Sequence, residues 1–224
     1  MLVVEDDADL CEAMVGALTS DGHLVVAAAD GNAALDALAD SAFDLVLLDL
    51  ALGPGPDGVE VCRRLRAAGD DAHVVAVTAR EGEADTVLVL EAGADDYVTK
   101  PVGIAELRSR VRAALRRVHR ASPARPVLQL GTLRVDADAR RAEVDGAEVP
   151  LTFSEFELLR ALLAAEGRLL SRQQLLDAIF GGHDFRDPRA IDVHVHHLRD
   201  KLTAAGGDGS AIVTVRGAGY RIDR

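Results

Sequence analysis

The sequence predicts two domains of different class: an α/β domain with a doubly wound parallel sheet, followed by a smaller α+β domain. In the first half, short runs of valine and leucine alternate with segments of helical period, which is typical of β-α units around a parallel sheet. A segment with two prolines and no period follows. The second half then opens with alternating, strand-like stretches before its helices. These three observations predict the fold class and the domain order.

The first domain, residues 1–117, contains five predicted β-α units. Because crossovers between parallel strands are right-handed, these units give a flavodoxin-like sandwich of three layers. The predicted strands are 2–5, 24–28, 44–48, 73–77 and 96–99, and the predicted helices are 8–19, 31–39, 58–68, 83–92 and 103–117.

The linker is predicted at residues 118–126 and contains HRASPARP, whose prolines and lack of period are typical of a connecting segment. In residues 127–224 two strand-like stretches surround an Asp145-Gly146 turn, and a capping box at Thr152 and Glu155 begins a helix that ends at Gly167. A second helix follows Ser171, a third begins at Pro188, and IVTVRGAGYRI forms a terminal hairpin. A sheet, three helices and a hairpin describe a winged helix-turn-helix.

The charge of the chain is unevenly distributed. The 224 residues are 49% hydrophobic and 28% charged, which is typical of a globular protein with hydrophobic cores. Residues 1–118 hold 22 acidic and 10 basic side chains and so account for the whole net charge of -12, whereas residues 119–224 hold 15 of each. A neutral second half can still present a basic face to DNA if its arginines cluster.

The two cysteines, Cys11 and Cys62, are predicted to be small core residues, because neither has a second cysteine or a histidine close enough in sequence for a zinc site. No apolar stretch reaches the roughly 20 residues that span a bilayer. The start of the chain also lacks a signal peptide. We therefore expect a cytoplasmic protein without a membrane partner.

Acidic residues close two of the predicted strands. Glu5 and Asp6 follow LVV, and Asp49 follows LVLL. Ligand sites in parallel sheets lie beyond the carboxyl ends of the strands, so we expect the three carboxylates to share a pocket. Like charges at close range repel unless a hard cation such as Mg²⁺ lies among them. Taken singly, Glu5 and Asp6 are also compatible with helix N-caps, and Asp49 with a turn.

Two further polar residues close later strands of the same sheet. Thr78 follows HVVAV and Lys100 follows DYVT. Phosphoryl transfer depends mainly on positioning and charge neutralisation, and an aspartate can accept a phosphoryl group covalently. Alone, Thr78 fits strand propensity and Lys100 fits a surface charge; five such residues at the strand ends of one sheet favour a phosphoryl-transfer site.

Residues 1–117 resemble the receiver domain of bacterial two-component response regulators, on the motifs LVVEDD, LVLLDLAL, DG, VVAVTAR and GADDYVTKP. The resemblance implies that Asp49 takes a phosphoryl group from a phosphohistidine of a sensor histidine kinase. It implies that Mg²⁺ is held by Asp6, Asp49 and the carbonyl of Ala51, with Glu5 acting through water. Lys100 and Thr78 would contact the phosphoryl oxygens, Tyr97 would move inward with Thr78, and the Lys100-Pro101 bond would be cis.

The chain departs from the family pattern in places. The loop ALGPGP between Asp49 and Asp57 is one residue longer than usual, and Val102 replaces an aromatic residue. The resemblance also implies that activated receivers pair as a homodimer through one face. The residues that match it are Asp95, Asp96, Glu106, Arg110 and Arg117. Thr86 stands where a basic partner of Glu106 is expected, and Leu88 and Val89 either add apolar contact to this face or pack inside.

The helix from Pro188 has a predicted apolar stripe of Ile191, Val195, Leu198 and Leu202. The stripe leaves other residues to face outward, as a recognition helix in a major groove requires. These are Arg189, Asp192, Val193, His196, His197 and Arg199. Arg216 at the hairpin tip suits an adjacent minor groove. Residues 127–224 resemble the effector domain of OmpR/PhoB-type response regulators, which assigns the same positions to contacts with double-stranded DNA.

His196 and His197 stand where this family commonly carries arginine. A neutral imidazole makes one hydrogen bond and has no charge, so we predict DNA binding that strengthens below about pH 6.5. His194 lies partly toward the core and is interpreted as structural or as a phosphate contact.

The leading hypothesis is a transcription factor switched by phosphorylation at Asp49, which pairs on direct-repeat promoter sites and is not an enzyme beyond self-phosphorylation and self-dephosphorylation. A phosphorylation-independent DNA-binding module is the second hypothesis, suggested by the longer loop and Thr86. The third is a Mg²⁺-dependent phosphatase, against which stands Ala51, where such an enzyme needs a second aspartate.

Overall fold

The computed structural model describes residues 1–79, 83–118, 127–180, 188 and 190–223, together with the side chains of all of these except 83, 84 and 116–118. The chain divides into two compact units, Met1–His119 and Arg120–Arg224. Of the predicted linker 118–126, Val118 is the last residue of a helix, and residues 119–126 lie outside the described residues. In the described part of the chain, no helix is both long and apolar enough to cross a membrane.

The first unit is built on one parallel sheet of five strands. Its strands are β1 (Leu2–Val4), β2 (Val26–Ala28), β3 (Leu45–Asp49), β4 (His73–Thr78) and β5 (Asp96–Thr99). They lie in the order β2-β1-β3-β4-β5 and all neighbours are parallel. The helices are α1 (Ala8–Ser20), α2 (Gly31–Asp40), α3 (Gly58–Ala67), α4 (Glu83–Glu91) and α5 (Ile104–Val118). The predicted fold class is confirmed.

The first three helices of this unit each follow an aspartate that caps them. Asp7 accepts hydrogen bonds from the backbone N–H groups of Asp9 and Leu10, at 3.0 Å each, and so caps α1. Asp30 caps α2 and Asp57 caps α3 in the same way. Because Asp7 caps α1, Glu5 and Asp6 are not the caps of this helix.

The hydrophobic core of the unit surrounds β3 and β4, in which every residue is buried. Strand β2 begins at Val26 and not at the predicted Leu24. The side chain of Leu24 is 91% exposed, and this residue lies outside the register with β1. Cys62 is buried and Cys11 is half-buried, and neither forms a disulfide. Burial raises the pKa of the Cys62 thiol to about 11, so this thiol stays protonated.

The second unit begins with an antiparallel sheet of four strands in sequence order, β6 (Leu128–Leu130), β7 (Leu133–Asp136), β8 (Arg141–Val144) and β9 (Ala147–Glu148). Three helices follow: α6 (Phe153–Ala164), α7 (Arg172–Phe180) and α8 (Ala190–Ala204). A short 3-10 helix, Gly209–Ala211, leads into the hairpin of β10 (Ile212–Val215) and β11 (Gly219–Ile222). This is the predicted winged helix-turn-helix.

Local signals explain the helix ends. Thr152 and Glu155 form the predicted capping box at the start of α6. Helix α8 begins at Ala190 rather than at Pro188, where the sequence predicted its start. Its stripe of Ile191, Val195, Leu198 and Leu202 is buried in the core of the unit, as predicted.

The hairpin is joined directly to the start of α7. The backbones of Leu170 and Tyr220 exchange two hydrogen bonds, at 2.8 and 2.9 Å. The approach is so close that a Cβ on Gly219 would lie 2.0 Å from the carbonyl oxygen of Leu170. Gly219, with a φ of +148°, is therefore required for the wing to reach the helix-turn-helix.

Candidate functional site

The carboxylates predicted to share a pocket do so. Asp49 ends β3, and Glu5 directly follows β1, its neighbour in the sheet. One oxygen from each of Glu5, Asp6 and Asp49 lies within 4.8 Å of the others. Glu5 and Asp49 are buried and Asp6 is exposed, so the cluster opens to solvent on the side of Asp6.

Lys100 reaches into this cluster from the end of β5. Its Nζ donates hydrogen bonds to Glu5 Oε1 at 2.7 Å and to Asp49 Oδ2 at 2.8 Å. Burial alone would lower the pKa of Lys100, but the hydrogen bonds to Asp49 and Glu5 outweigh it and raise this pKa. Burial raises the pKa of Glu5, and the bond to Lys100 opposes that shift only in part.

The cluster fits a divalent cation. Oε2 of Glu5 is buried and receives no hydrogen bond of good geometry from the described residues. A buried carboxylate oxygen without a donor is a suitable ligand for a hard cation, which favours oxygen donors. Ala51 donates its N–H to Asp49 Oδ1 at 3.1 Å, which places its backbone beside this carboxylate.

Thr78 and Tyr97 lie on the two strands at the other side of Asp49. Thr78 ends β4 and is buried, and its carbonyl accepts the N–H of Lys100 at 2.6 Å. Tyr97 is half-buried on β5. The Lys100-Pro101 peptide bond is cis, as the resemblance implies.

The longer loop after Asp49 packs against the first turn of α2. A Cβ on Gly31 would lie 2.0 Å from the carbonyl oxygen of Pro56, and one on Gly55 would lie 2.9 Å from Asn32 Nδ2. The N–H of Gly53 in this loop donates to Asp6 Oδ2 at 3.3 Å. The loop therefore joins α2 to one of the carboxylates, and Gly31 is a residue that sequence reasoning missed.

The structure corrects the predicted dimer face, because Asp95, Asp96 and Arg110 are all buried in the single chain. Asp95 is fully buried: its Oδ2 accepts hydrogen bonds from the Val74 N–H at 2.9 Å and from Arg66 Nη2 at 2.8 Å. Arg66 also donates to the carbonyls of Gly93, Asp70 and Ala72, so Asp95 belongs to an internal network rather than to a surface. Spacing along the chain could not reveal this partner, 29 residues away.

The other members of that face pair within the chain. Arg110 donates to Glu106 Oε1 at 2.8 Å and to Asp96 Oδ2 at 3.3 Å, and the side chain of Arg117 lies outside the described part. Of the two residues of α4 that the sequence left open between surface contact and core, Leu88 is 37% exposed and Val89 is buried. Only Leu88 can add apolar contact to a partner, and Thr86 is half-buried.

On α8, two residues predicted to face DNA form hydrogen bonds with other residues of the same unit. Arg199 donates through Nε to the carbonyl of Ile212 at 3.0 Å and through Nη2 to Thr214 Oγ1 at 2.9 Å. Asp192 accepts hydrogen bonds from Arg172 and from the hydroxyl of Tyr220. The prediction that Arg199 is free to face outward is therefore wrong, and Arg172 and Tyr220 are partners that the helical spacing could not reveal.

The histidines of α8 differ in environment. His196 is exposed, with Nε2 at 3.5 Å from Asp200 Oδ2, whereas His197 is half-buried, with Nδ1 at 3.8 Å from Glu155 Oε1. His194 is buried, which favours its structural interpretation. His196 is therefore the histidine of α8 that is most accessible to a nucleic acid.

The remaining predicted DNA contacts are placed as follows. Val193 is half-buried on α8, and Arg216 is exposed at the tip of the wing, between β10 and β11. Arg189 lies outside the described residues. Exposed positions on the helix and the wing are thus available to a nucleic acid.

Comparison with known proteins assigns both units. Residues 1–112 match the family model of the response regulator receiver domain, and residues 146–222 match that of the transcriptional regulatory protein C terminal domain. Sensory transduction protein RegX3 of Mycobacterium tuberculosis is 40% identical over 225 aligned residues, covering 100% of this chain and 98% of the relative. Transcriptional regulatory protein AfsQ1 of Streptomyces coelicolor is 41% identical, covering 100% and 97%.

Solved structures agree with this assignment. A cysteine-to-aspartate mutant of RitR has a TM-score of 0.75 at 25% identity, covering 100% of this chain and 98% of its own. The Thermotoga maritima OmpR/PhoB homologue DrrB has a TM-score of 0.51 at 28% identity, with the same coverage.

A receiver domain joined to a winged-helix domain defines a response regulator that acts on transcription. This chain belongs to the OmpR/PhoB family of two-component response regulators. Its receiver implies a histidine kinase as partner, and its C-terminal domain implies binding to DNA.

Proposed function

We propose that this response regulator is switched by phosphorylation of Asp49 in a Mg²⁺-dependent reaction with a sensor histidine kinase. The observation that carries the proposal is the meeting of Asp49, Glu5, Asp6 and Lys100 in one pocket, with Lys100 Nζ 2.8 Å from the phosphoacceptor. A DNA target and a kinase partner are consistent with a cytoplasmic location.

Asp49, Lys100 and Thr78 would each have a separate role in the phosphoryl transfer. Asp49 Oδ attacks phosphorus, the bond from phosphorus to the donor breaks, and the phosphohistidine nitrogen leaves with the electron pair. Lys100 would offset the charge that collects on the phosphoryl oxygens, and the hydroxyl of Thr78 would donate a hydrogen bond to them. Mg²⁺, when held by Asp6, Asp49 and the Ala51 carbonyl with Glu5 behind them, supplies further charge neutralisation.

Pairing of two chains would increase the affinity for DNA. Phosphorylation would promote homodimers through the face of α4, β5 and α5, and two winged helices would then occupy a direct repeat in the promoter. Two linked DNA-binding units bind more tightly than one, because the second contact becomes intramolecular. The surface residues Leu88 and Arg216 are consistent with these two roles.

The alternatives receive less support. A phosphatase would need a general acid near Asp49, and position 51 is alanine. We therefore propose that the protein is a phosphoacceptor, with no enzymatic activity beyond its own phosphorylation and dephosphorylation. A phosphorylation-independent module would have no need for Lys100 to bridge Glu5 and Asp49.

The test is incubation of the full-length protein with Mg²⁺ and acetyl phosphate, followed by intact mass and size-exclusion elution, with Asp49→Asn in parallel. We expect one phosphoryl group on the wild type, none on the variant, and a shift of the wild type to a dimer. Folded wild-type protein that gains no phosphoryl group would contradict the switch and favour the phosphorylation-independent module.

A further inference from the structure

The first turn of α8 carries Asp192, whose side chain is 44% exposed and whose two oxygens both accept hydrogen bonds from the protein. Asp192 Oδ1 accepts from Arg172 Nε at 2.7 Å and from the hydroxyl of Tyr220 at 2.6 Å, and Oδ2 accepts from Arg172 Nη2 at 3.3 Å. Arg172 is the first residue of α7 and Tyr220 lies on β11, so one side chain joins three elements.

Two arginines beside the Tyr220 ring add to the contacts that hold α7, α8 and β11 together. The guanidinium of Arg172 lies over the Tyr220 ring, 5.2 Å from its centre, and that of Arg199 lies 5.9 Å from it. Tyr220 is buried, and its backbone pairs with Leu170, two residues before Arg172. Burial and the hydrogen bond to Asp192 raise the pKa of Tyr220 to about 12, so its hydroxyl remains a donor.

These contacts bear on how Asp192 takes part in DNA binding. A carboxylate that reads a base must accept a hydrogen bond from an amino group such as that of cytosine. Both oxygens of Asp192 already accept charge-assisted or short hydrogen bonds from the protein. A free carboxylate on the helix surface would also repel DNA phosphates, whereas Arg172 offsets the charge of Asp192.

We infer that Asp192 is a positioning residue of the DNA-binding surface and not a base-reading one: through Arg172 and Tyr220 it fixes the N-terminal turn of α8 against α7 and the wing. The N-terminal turn of a recognition helix carries the side chains that contact base edges, so its placement decides the affinity. Arg199 performs a related task two turns later, where it joins α8 to the backbone of β10.

Substitution of Asp192 or of Arg172 should weaken the binding of DNA. Preferred duplexes are selected from a random-sequence pool by the full-length wild type, and the affinities of Asp192→Asn, Arg172→Gln and the double variant are measured on them. We expect each single variant to lose about tenfold in affinity, the magnitude of a charge-assisted hydrogen bond. The double variant should lose little more, because both changes break the same contact.

The base preference separates positioning from reading. We expect the pool selected by Asp192→Asn to show the same preferred sequence as that of the wild type. Glu166→Gln is the control: it removes one negative charge from an exposed position that follows α6 in the same unit. It should bind as tightly as the wild type or slightly more tightly.

The contact between Asp192 and Tyr220 can be tested by NMR without DNA. The chain has two tyrosines and no tryptophan, so 3-fluorotyrosine gives two ¹⁹F NMR signals, and Tyr97→Phe assigns them. Fluorination lowers the pKa of a phenol, which brings the titration below alkaline unfolding. Asp192→Asn should shift the titration of residue 220 to lower pH and leave that of residue 97 unchanged, with unaltered circular dichroism.

Three results would overturn the inference. The first is a changed base preference at one position with Asp192→Asn, which would make Asp192 a reading residue. The second is additive losses in the double variant, which would separate Asp192 from Arg172. The third is an unchanged fluorotyrosine titration.

Discussion

Among single residues, the buried carboxylate of Glu5 lowers the stability of the folded receiver at neutral pH. Glu5 is buried beside Asp49, and burial raises its pKa above that of an ordinary carboxyl group. A raised pKa means that the folded state holds the proton of Glu5 more tightly than the unfolded chain does. Ionised Glu5 therefore costs stability at neutral pH, and this cost disappears as the pH falls below the pKa of the unfolded chain, about 4.3. A bound cation would remove the cost.

Glu5→Gln should therefore stabilise the receiver and weaken its binding of cations. We expect the midpoint of receiver unfolding to rise at pH 7 without divalent ions, by an amount that corresponds to less than about 1 kcal/mol. The gain should vanish near pH 4 and should reverse at saturating Mg²⁺, because the glutamine cannot stabilise the ion as a carboxylate does. Thermal denaturation followed by circular dichroism measures both, with Glu12→Gln on the exposed face of α1 as control. A lower midpoint at pH 7 without ions would show that the ion pair with Lys100 outweighs burial.

At the scale of elements, the loop after Asp49 is a part of the pocket. It contacts α2 at Gly31 and contacts Asp6 through the Gly53 N–H. Gly31→Ala would place a methyl group 2.0 Å from the Pro56 carbonyl, and since backbone cannot yield at that distance, the loop must move. We expect the variant to bind Mn²⁺ about fivefold more weakly, the magnitude of one lost hydrogen bond.

The loss of the six-line electron paramagnetic resonance signal of free Mn²⁺ measures this binding, and Asp6→Asn defines the part that belongs to the pocket. Gly16→Ala is the control glycine, because a Cβ there meets no atom within 4 Å. Equal affinity of Gly31→Ala and wild type would show that the loop does not position Asp6.

Strand ends could be predicted from the sequence, whereas side-chain partners from distant parts of the chain could not. Strand ends are marked by local patterns, so the sequence alone predicted that Asp49, Thr78 and Lys100 lie at one edge of the sheet. The burial of Asp95 depends on Arg66, whose four acceptors meet only in the folded unit. The predicted outward face of α8 was wrong at Arg199 for the same reason, since helical period gives a direction but not the partner that lies there.

At the scale of the whole molecule, each unit has a hydrophobic core of its own. Val75, Val77 and Leu107 belong to the core of the first, and Phe156, Leu162 and Val195 to that of the second. The acidity is also divided, because the first half carries the whole net charge of -12. A chain with two separate cores is expected to unfold in two steps rather than in one.

Scanning calorimetry should therefore resolve two transitions, and each should respond to a substitution in one unit only. Asp95→Ala leaves the Val74 N–H without its acceptor and the charge of Arg66 without its carboxylate partner, which costs about 3 kcal/mol and lowers one midpoint by roughly 10 °C. Leu162→Ala opens a cavity in the second core at a cost of about 2–5 kcal/mol and lowers the other. Asp36→Ala, at an exposed position of α2, should move neither. If each core variant moved both midpoints, the two units would be thermodynamically coupled, and a change at Asp49 could then reach the DNA-binding unit within a single chain, without pairing.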